Sequence, residues 1–486
     1  MIQTAIKKWL KTYSGFSIGI KAAFWYAFCN LLQKGISFIA VPIYTRILTP
    51  EEYGNYSVFL SWIDIFEIIV TLRIAGGGYV AGLTKYSDDK KRYSDSVQSL
   101  ELFLTTIWAV FYALFSKKIN FLTGMNTHSM VFIIMLMYAM PAISFWNARQ
   151  RVEYKYILVI AVTLLTSILI PGIGIAASLH MDSSKEFGII GARVFVQSIL
   201  GFILIFICIT KSSSFFHKKY WIKTLKFNIP LVPYYLSTII LQSSDRIMIK
   251  NLVDTASAGI YGVANSAAMI MMLFNSSIHA AFQPWFFNKL KTKQYEKISG
   301  TINFLLILVA VLNLLLIAFA PEAISILAPA AYQEAVWVIP PLASSVFVMF
   351  FYEHFINIEI FYENSNVIAG ASVGAAMLNV VLNLIFIPQI GFLAAGYTTL
   401  FCYIVFCFTH YIFMKKVCKK NNCPYRIIDI KTMIIIMIVF FEIVAVLACG
   451  YPFWALRYTI ILLLVSLIFF KRKMLIDNLK LLLDKR

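Results

Sequence analysis

Charge is what this sequence lacks most. Asp, Glu, Lys and Arg make up 13% of its 486 residues and hydrophobic side chains 60%, where an ordinary soluble domain has about 25% charged and about 45–50% apolar residues. With so few polar side chains to meet water, a soluble enzyme of this length is excluded. Acidic residues are scarcer still: 23 Asp and Glu stand against 42 Lys and Arg, a net charge of +19. That excess is not read as a nucleic-acid footprint, because the basic residues are spread over separate short segments without a recognisable binding module.

Other absences narrow the chemistry. The 7 cysteines, Cys29, Cys208, Cys402, Cys407, Cys418, Cys423 and Cys449, lie in or beside apolar runs, so no disulfide framework is indicated. Cys418 and Cys423 lack the two-residue spacing and partner ligands of a zinc site, and neither metal nor organic cofactor is expected. There is no phosphate-binding Walker loop, which argues against direct ATP use. Gly76, Gly77 and Gly78 follow no strand and read as a helix end or hinge, without nucleotide binding. Long hydrophilic loops are missing too. On the lysine-poor side the longest connection is about 15 residues, too short for the active-site loops of a membrane polymerase or ligase, and the chain is not expected to be an enzyme.

What is present is apolar sequence in long runs, with a mean hydropathy of +0.78. A spanning helix needs about 20 mostly apolar residues. Such runs fall near residues 22–44, 56–80, 96–116, 128–147, 157–179, 187–210, 231–250, 257–287, 300–320, 336–358, 366–388, 391–414, 432–450 and 454–470. They predict an all-α polytopic membrane protein of about 14 transmembrane helices. The run after Lys21 is long enough to stay in the membrane, so no cleaved leader is expected.

Basic residues collect on the cytoplasmic side of short loops. Lys7, Lys8 and Lys11, the clusters Lys90-Lys91-Arg92, Lys218-Lys219 and Lys415-Lys416, and the tail from Lys471 to Arg486 all fall on one side, whereas the other side holds Arg46, Lys117, Lys118, Lys185 and Arg457. Both termini are therefore expected in the cytoplasm, and the net charge is mainly a topology signal that also draws the protein to anionic lipid headgroups.

An internal repeat is visible. ILTPEEYGNYSV, Ile47 to Val58, aligns without gaps on LVDTASAGIYGV, Leu252 to Val263, with Gly54 on Gly259 and Tyr56 on Tyr261. Each stretch joins the first and second span of its half. The expected organisation is an N-terminal lobe of six helices at residues 1–210, a second six-helix lobe at 211–415, and two extra helices with a basic cytoplasmic tail at 416–486. Two such lobes are a transporter plan with the substrate path between them.

The phrase YTRILTPEEYGNYSV after the first span, with SSDRIMIKNL and GIYGVANSAAM at the seventh and eighth, resembles the polysaccharide transporter, or Wzx-type oligosaccharide flippase, family. That family stands with the lipid II flippases and the multidrug and toxin extrusion (MATE) proteins in one superfamily, so the resemblance implies a MATE-like fold. It also implies alternating-access export of an undecaprenyl-diphosphate-linked oligosaccharide across a bacterial cytoplasmic (inner) membrane, for O-antigen, capsule, lipopolysaccharide or exopolysaccharide synthesis. Coupling to H+ or Na+, and work beside a polysaccharide polymerase and a chain-length regulator, come with it. The alternative is an ion-coupled multidrug or cation antiporter of the same superfamily. Against that alternative, the mid-membrane set includes Lys34, Arg73, Arg193 and Arg246, which suits an anion better than a cationic drug.

Each charge kept in hydrocarbon costs about 2.5–3.5 kcal/mol on insertion scales, so those retained face a cavity or a partner. Lys34 in the first span, Arg73 in the second, Arg193 in the sixth and Arg246 in the seventh are candidate anchors for a diphosphate. Asn275 and Gln283 in the eighth offer neutral groups to sugars. Asp64 and Glu67, three residues apart on one helix face, with Asp245, Glu353 and His354, are candidates for ion coupling. For each of these an inert reading stands beside the functional one: an ion pair between helices for Lys34 and the carboxylates, snorkelling for Arg73, and interhelical hydrogen bonding for the neutral residues.

Overall fold

The computed structural model describes residues 17–211, 214–363, 365–421, 423–424 and 427–470. The basic residues expected in the cytoplasm at Lys7, Lys8, Lys11 and in the tail from Lys471 to Arg486 lie outside them. The described residues are helical throughout their length, with short turns between helices. The helices are α1 (Ile18–Ile47), α2 (Pro50–Thr71), α3 (Tyr79–Lys85), α4 (Lys90–Thr123), α5 (Thr127–Val152), α6 (Tyr156–Leu179), α7 (Glu186–Lys211), α8 (Lys218–Asn228) and α9 (Val232–Leu252). They continue with α10 (Thr255–Lys291), α11 (Glu296–Ala318), α12 (Ala320–Leu327), α13 (Ile339–Phe361), α14 (Ser365–Ile390), α15 (Leu393–Lys420), α16 (Ile430–Cys449) and α17 (Trp454–Phe470).

Among the described residues, 11 helices are long and apolar enough to cross a membrane. The chain is a multi-pass helical membrane protein. The three other expected spans fall on α2, α9 and α17. The first two carry the charges Asp64, Glu67, Asp245, Arg246 and Lys250 that lower their hydropathy, and the third has 17 described residues.

The expected span at 56–80 is shorter than its hydropathy implies. Helix α2 ends at Thr71, whose hydroxyl donates back to the Glu67 carbonyl and accepts the Arg73 amide at 3.1 Å. Leu72 and Arg73 then turn the chain with φ of +51° and +49°, in the left-handed region that costs a residue with a Cβ about 1 kcal/mol or more. Ile74, Ala75 and Tyr79 are apolar because they enter a core with Tyr93, Val97, Phe145 and Tyr220.

Two compact units result, one of Phe59–Leu236 with the chain up to Leu48, the other of Thr49–Val58 with the chain from Ser237. In the first, α7 packs on both α5 and α6, and α6 on α1. The short helix α8 is tied to α4 by Trp221, whose indole donates to the Ser96 carbonyl at 2.8 Å. Its Tyr220 donates to Asp89 at 2.7 Å.

In the second unit α13 is central, buried along most of its length against α15, α10 and α11. Helices α16 and α17 pack on α11. Arg457 fastens α17 by donating to the Ala318 carbonyl at 3.1 Å and to both Glu322 oxygens at 2.9 and 2.8 Å. Burial opposes the charged form of Glu322, but the bonds from Arg457 and Tyr458 outweigh it and hold the carboxyl below its ordinary value. A carboxyl lowered on folding contributes stability above its unfolded pKa and loses it as pH falls through the folded one. Arg457→Ala is therefore expected to cost about 1.5–3 kcal/mol at neutral pH and less in acid. Thermal melting of the detergent-purified protein at both pH values checks this, and an equal loss in acid would contradict the assigned charge pair.

The two repeat stretches begin helices the same way. Thr49 and Glu52 form a capping box, the Glu52 carboxylate accepting the Thr49 amide at 2.9 Å and the Thr49 hydroxyl accepting the Glu52 amide at 3.2 Å. At the aligned position Asp254 caps α10 by accepting the Ser257 amide at 2.7 Å. Gly54 and Gly259 then meet at one crossing within the second unit, where a Cβ on Gly54 would overlap the Thr255 carbonyl oxygen and a Cβ on Gly259 the Pro50 carbonyl oxygen.

Candidate functional site

Asp245 sits on α9 with 3% of its surface exposed. Lipid would exclude a carboxylate there unless its oxygens were satisfied, and three neighbouring helices combine to satisfy them. From α10, the Tyr261 hydroxyl donates to Oδ2 at 2.6 Å. From α15, the Thr399 hydroxyl donates to the same oxygen at 2.9 Å. From α14, the Asn383 amide donates to Oδ1 at 2.7 Å. A second layer holds these donors in place: Asn379 donates to Thr399 Oγ1 at 3.0 Å, and the Thr398 hydroxyl donates to Asn383 Oδ1. The result is a nest of oxygen and amide groups around one negative charge, locked by bonds that fix each donor's direction. Three hydrogens aimed at one carboxylate satisfy a single negative charge, and a proton or small cation would have to displace one of these donors. No group of three or more His, Cys, Asp or Glu side chains able to hold a metal ion occurs among the described residues.

Arg246, the next residue, is half-buried and donates to Ser243 Oγ at 3.1 Å. Lys250, a turn later, donates to Asn55 at 3.2 Å. The two neutral candidates on α10 both reach α13: Asn275, fully buried, donates to the Val346 carbonyl at 2.8 Å, and Gln283 donates to Asn357 at 2.9 Å. Asn357 also contacts His279 Nε2 at 3.1 Å, which links Gln283, Asn357 and His279 into a second polar group. Glu353 is half-buried. His354 is fully buried, walled by the edges of Phe282 and Phe350 at 5.1 and 5.0 Å.

In the first unit the candidates are more scattered. Lys34 on α1 is exposed. Asp64 and Glu67 on α2 are half-buried. Arg73 lies past the end of α2, its guanidinium 5.2 Å above the Tyr235 ring, a stacked cation with its remaining donors free of that contact. Arg193 on α7 is half-buried, with its Nε enclosed.

The structure adds a pair that sequence reasoning passed over. Glu359 on α13 and His410 on α15, both fully buried, meet with Nδ1 at 2.9 Å from the carboxylate, between Tyr352 and Phe406. The adjacent Glu353 and His354 had drawn attention instead. Neighbouring helical residues point about 100° apart, and the closed Glu–His contact is the one that joins two helices. Asn379, Asn383, Thr398 and Thr399 were likewise unmarked, single polar residues in apolar runs, whereas Tyr261 was marked only by its place in the repeat.

Residues 20–288 match the family model described as polysaccharide biosynthesis protein. No curated protein matches the chain. Among solved structures, the chain is similar to the lipid II flippase MurJ in an inward closed conformation, at 14% identity and a TM-score of 0.64, covering 93% of this chain and 99% of that one. It is also similar to an inward-facing multidrug resistance MATE family transporter of the MOP superfamily, at 12% identity and a TM-score of 0.61, covering 80% and 96%. A third likeness is to the Vibrio cholerae MATE transporter VcmN, at 12% identity and a TM-score of 0.52, covering 83% and 97%. At these identities the likeness is one of fold.

Proposed function

The chain belongs to the polysaccharide biosynthesis protein family, and from that premise we propose that it is a flippase for a lipid-linked oligosaccharide, carried on undecaprenyl diphosphate, in a bacterial cytoplasmic membrane. The observation that carries this reading is the family match joined to a fold shared along 93% of the chain with a protein named as a lipid II flippase. Physics supports the pairing. A diphosphate and a sugar chain cannot cross hydrocarbon unaided, because each charged or hydroxyl group stripped of water costs several kcal/mol. A bundle that keeps polar groups in its spans lowers that barrier without chemical conversion of the substrate, a non-enzymatic role. Lys34, Arg73, Arg193 and Arg246 are our candidates for the diphosphate, Asn275 and Gln283 for sugar hydroxyls. Asp245 is our candidate coupling centre for H+ or Na+, because it is a buried carboxylate reached by donors from three neighbouring helices.

Deletion of the gene is expected to stop surface exposure of the polysaccharide and to accumulate the lipid-linked intermediate facing the cytoplasm. Normal exposure without accumulation, in a strain with no second flippase, sinks the proposal. Drug susceptibility is expected to be unchanged by deletion or overexpression; a clear change would favour the multidrug antiporter that the shared MATE fold also admits. Lys34→Glu is expected to insert normally and to lose export, read by surface polysaccharide against protein level in the membrane. Wild-type export by that variant removes Lys34 from the anchor set.

A further inference from the structure

Glu101 lies within α4, inside a membrane-crossing segment, and is 3% exposed. Neither of its carboxyl oxygens has a hydrogen-bond partner among the described residues. An ionised carboxylate stripped of partners in hydrocarbon is among the costliest states a side chain can adopt, so something must balance it. Glu101 lines a cavity with Gln98, Thr105, Tyr138 and Cys208, where about 10 Å³ is open to a water centre. That is room for about one water, and far too little for a sugar or a lipid headgroup. Gln98, Glu101 and Thr105 share one face of α4 at spacings of three and four, and Thr105 Oγ1 is also buried without a partner.

The neighbours decide which small ligand fits. From α2, Thr71 and Glu67 stand beside Glu101. The Thr71 hydroxyl hydrogen is committed to the Glu67 carbonyl, so what Thr71 offers Glu101 is a lone pair. A carboxylate cannot use a lone pair; a carboxylic acid can, by donating to it. Glu67 brings a second carboxyl to the same side, with Arg73 near it. Around the cavity, α5 contributes Tyr138 and α7 contributes Cys208, neither of them a cation. Asp95 on α4 and Arg149 on α5 lie near Cys208, while Tyr79 of α3 and Tyr220 of α8 belong to the apolar cluster beyond.

We propose that Glu101 is a proton-binding site: its carboxyl takes a proton from water through the one-water cavity, donates it in a hydrogen bond to Thr71 Oγ1, and returns it to water by the same route. The site lies in the unit that lacks Asp245, and it does not rest on the flippase reading, because protonation of Glu101 can be read without any transported substrate.

The test is infrared difference spectroscopy of the full-length protein in phospholipid nanodiscs, on exchange from H2O into D2O at neutral pH. The expected result is a deuterium-sensitive carboxylic-acid C=O band that is lost in Glu101→Gln and moves to higher frequency in Thr71→Val, where the acceptor is gone. A wild-type spectrum without such a band, or one that Glu101→Gln leaves at full intensity, overturns the proposal. So does a band that added Na+ removes, which would make the ligand a metal cation. Should Glu101→Gln fail to accumulate, an unshifted band in Thr71→Val is sufficient to overturn it.

Discussion

Asp245→Ala is expected to abolish export and to destabilise the protein by several kcal/mol, the largest single-residue effect outside the helix crossings. The carboxylate accepts from Tyr261, Thr399 and Asn383, and all three donors are buried. Removing the acceptor leaves each of them facing apolar surroundings, at about 1–3 kcal/mol per orphaned group before any relaxation. The losses will not simply add, because Asn379 and Thr398 hold the same donors and can let them reorient. Asp245→Asn separates the structural role from the coupling role. Its carbonyl still accepts from Tyr261 and Thr399, while its amide meets the Asn383 amide and loses that bond, so the protein is expected to accumulate near the wild-type level. Lacking a charge for a cation or proton to neutralise, it is expected to export at least about tenfold more slowly, a change of about 1.4 kcal/mol in the governing step. Surface polysaccharide per unit of membrane-inserted protein, with melting temperatures in detergent, reads both effects. Export by Asp245→Asn at the wild-type rate and with unchanged ion dependence makes the cluster purely structural.

The helices were legible because hydrocarbon imposes one rule, a long apolar run closed on its own hydrogen bonds, and that rule is written locally. It failed at the end of α2, where Leu72 and Arg73 turn the chain through the left-handed region. Leu72, Ile74 and Ala75 look like more membrane helix, but they are apolar because they face the core around Tyr79 and Phe145, and hydropathy does not distinguish a protein interior from lipid. The site was half legible for a related reason. Asp245 stands out as a charge in an apolar run, whereas its partners Asn383 and Thr399 lie 138 and 154 residues further on. Neutral side chains at that separation carry no mark until the helices are packed. His410 and Glu359 escaped notice in the same way, since each by itself reads as an isolated polar residue in an apolar run.

The repeat was legible as an alignment, and its physical meaning appears in the crossing of its two copies. A Cβ at position 54 would overlap the Thr255 carbonyl oxygen and stand 3.1 Å from the Gly259 nitrogen; one at 259 would overlap the Pro50 carbonyl oxygen and stand 2.9 Å from the Gly54 nitrogen. Pro50 and Thr255 are themselves aligned positions, so each copy places its glycine against the first helical residue of the other. Backbone atoms cannot swing aside as a side chain does, and two helix starts that touch through glycine must separate to admit a methyl group. Gly54→Ala and Gly259→Ala are therefore each expected to cost about 1–3 kcal/mol or more, seen as a sharp drop in folded protein by fluorescence-detected size exclusion. Because both clashes occur at one crossing, the double variant is expected to fall well short of the sum of the singles: once the first methyl has parted the helices, the second enters the gap. Gly172→Ala and Gly300→Ala, whose added Cβ meets nothing within 4 Å, serve as controls and are expected to behave as wild type. Full additivity of Gly54→Ala and Gly259→Ala, or losses no larger than those of the controls, would show that the two copies of the repeat do not depend on each other's glycine.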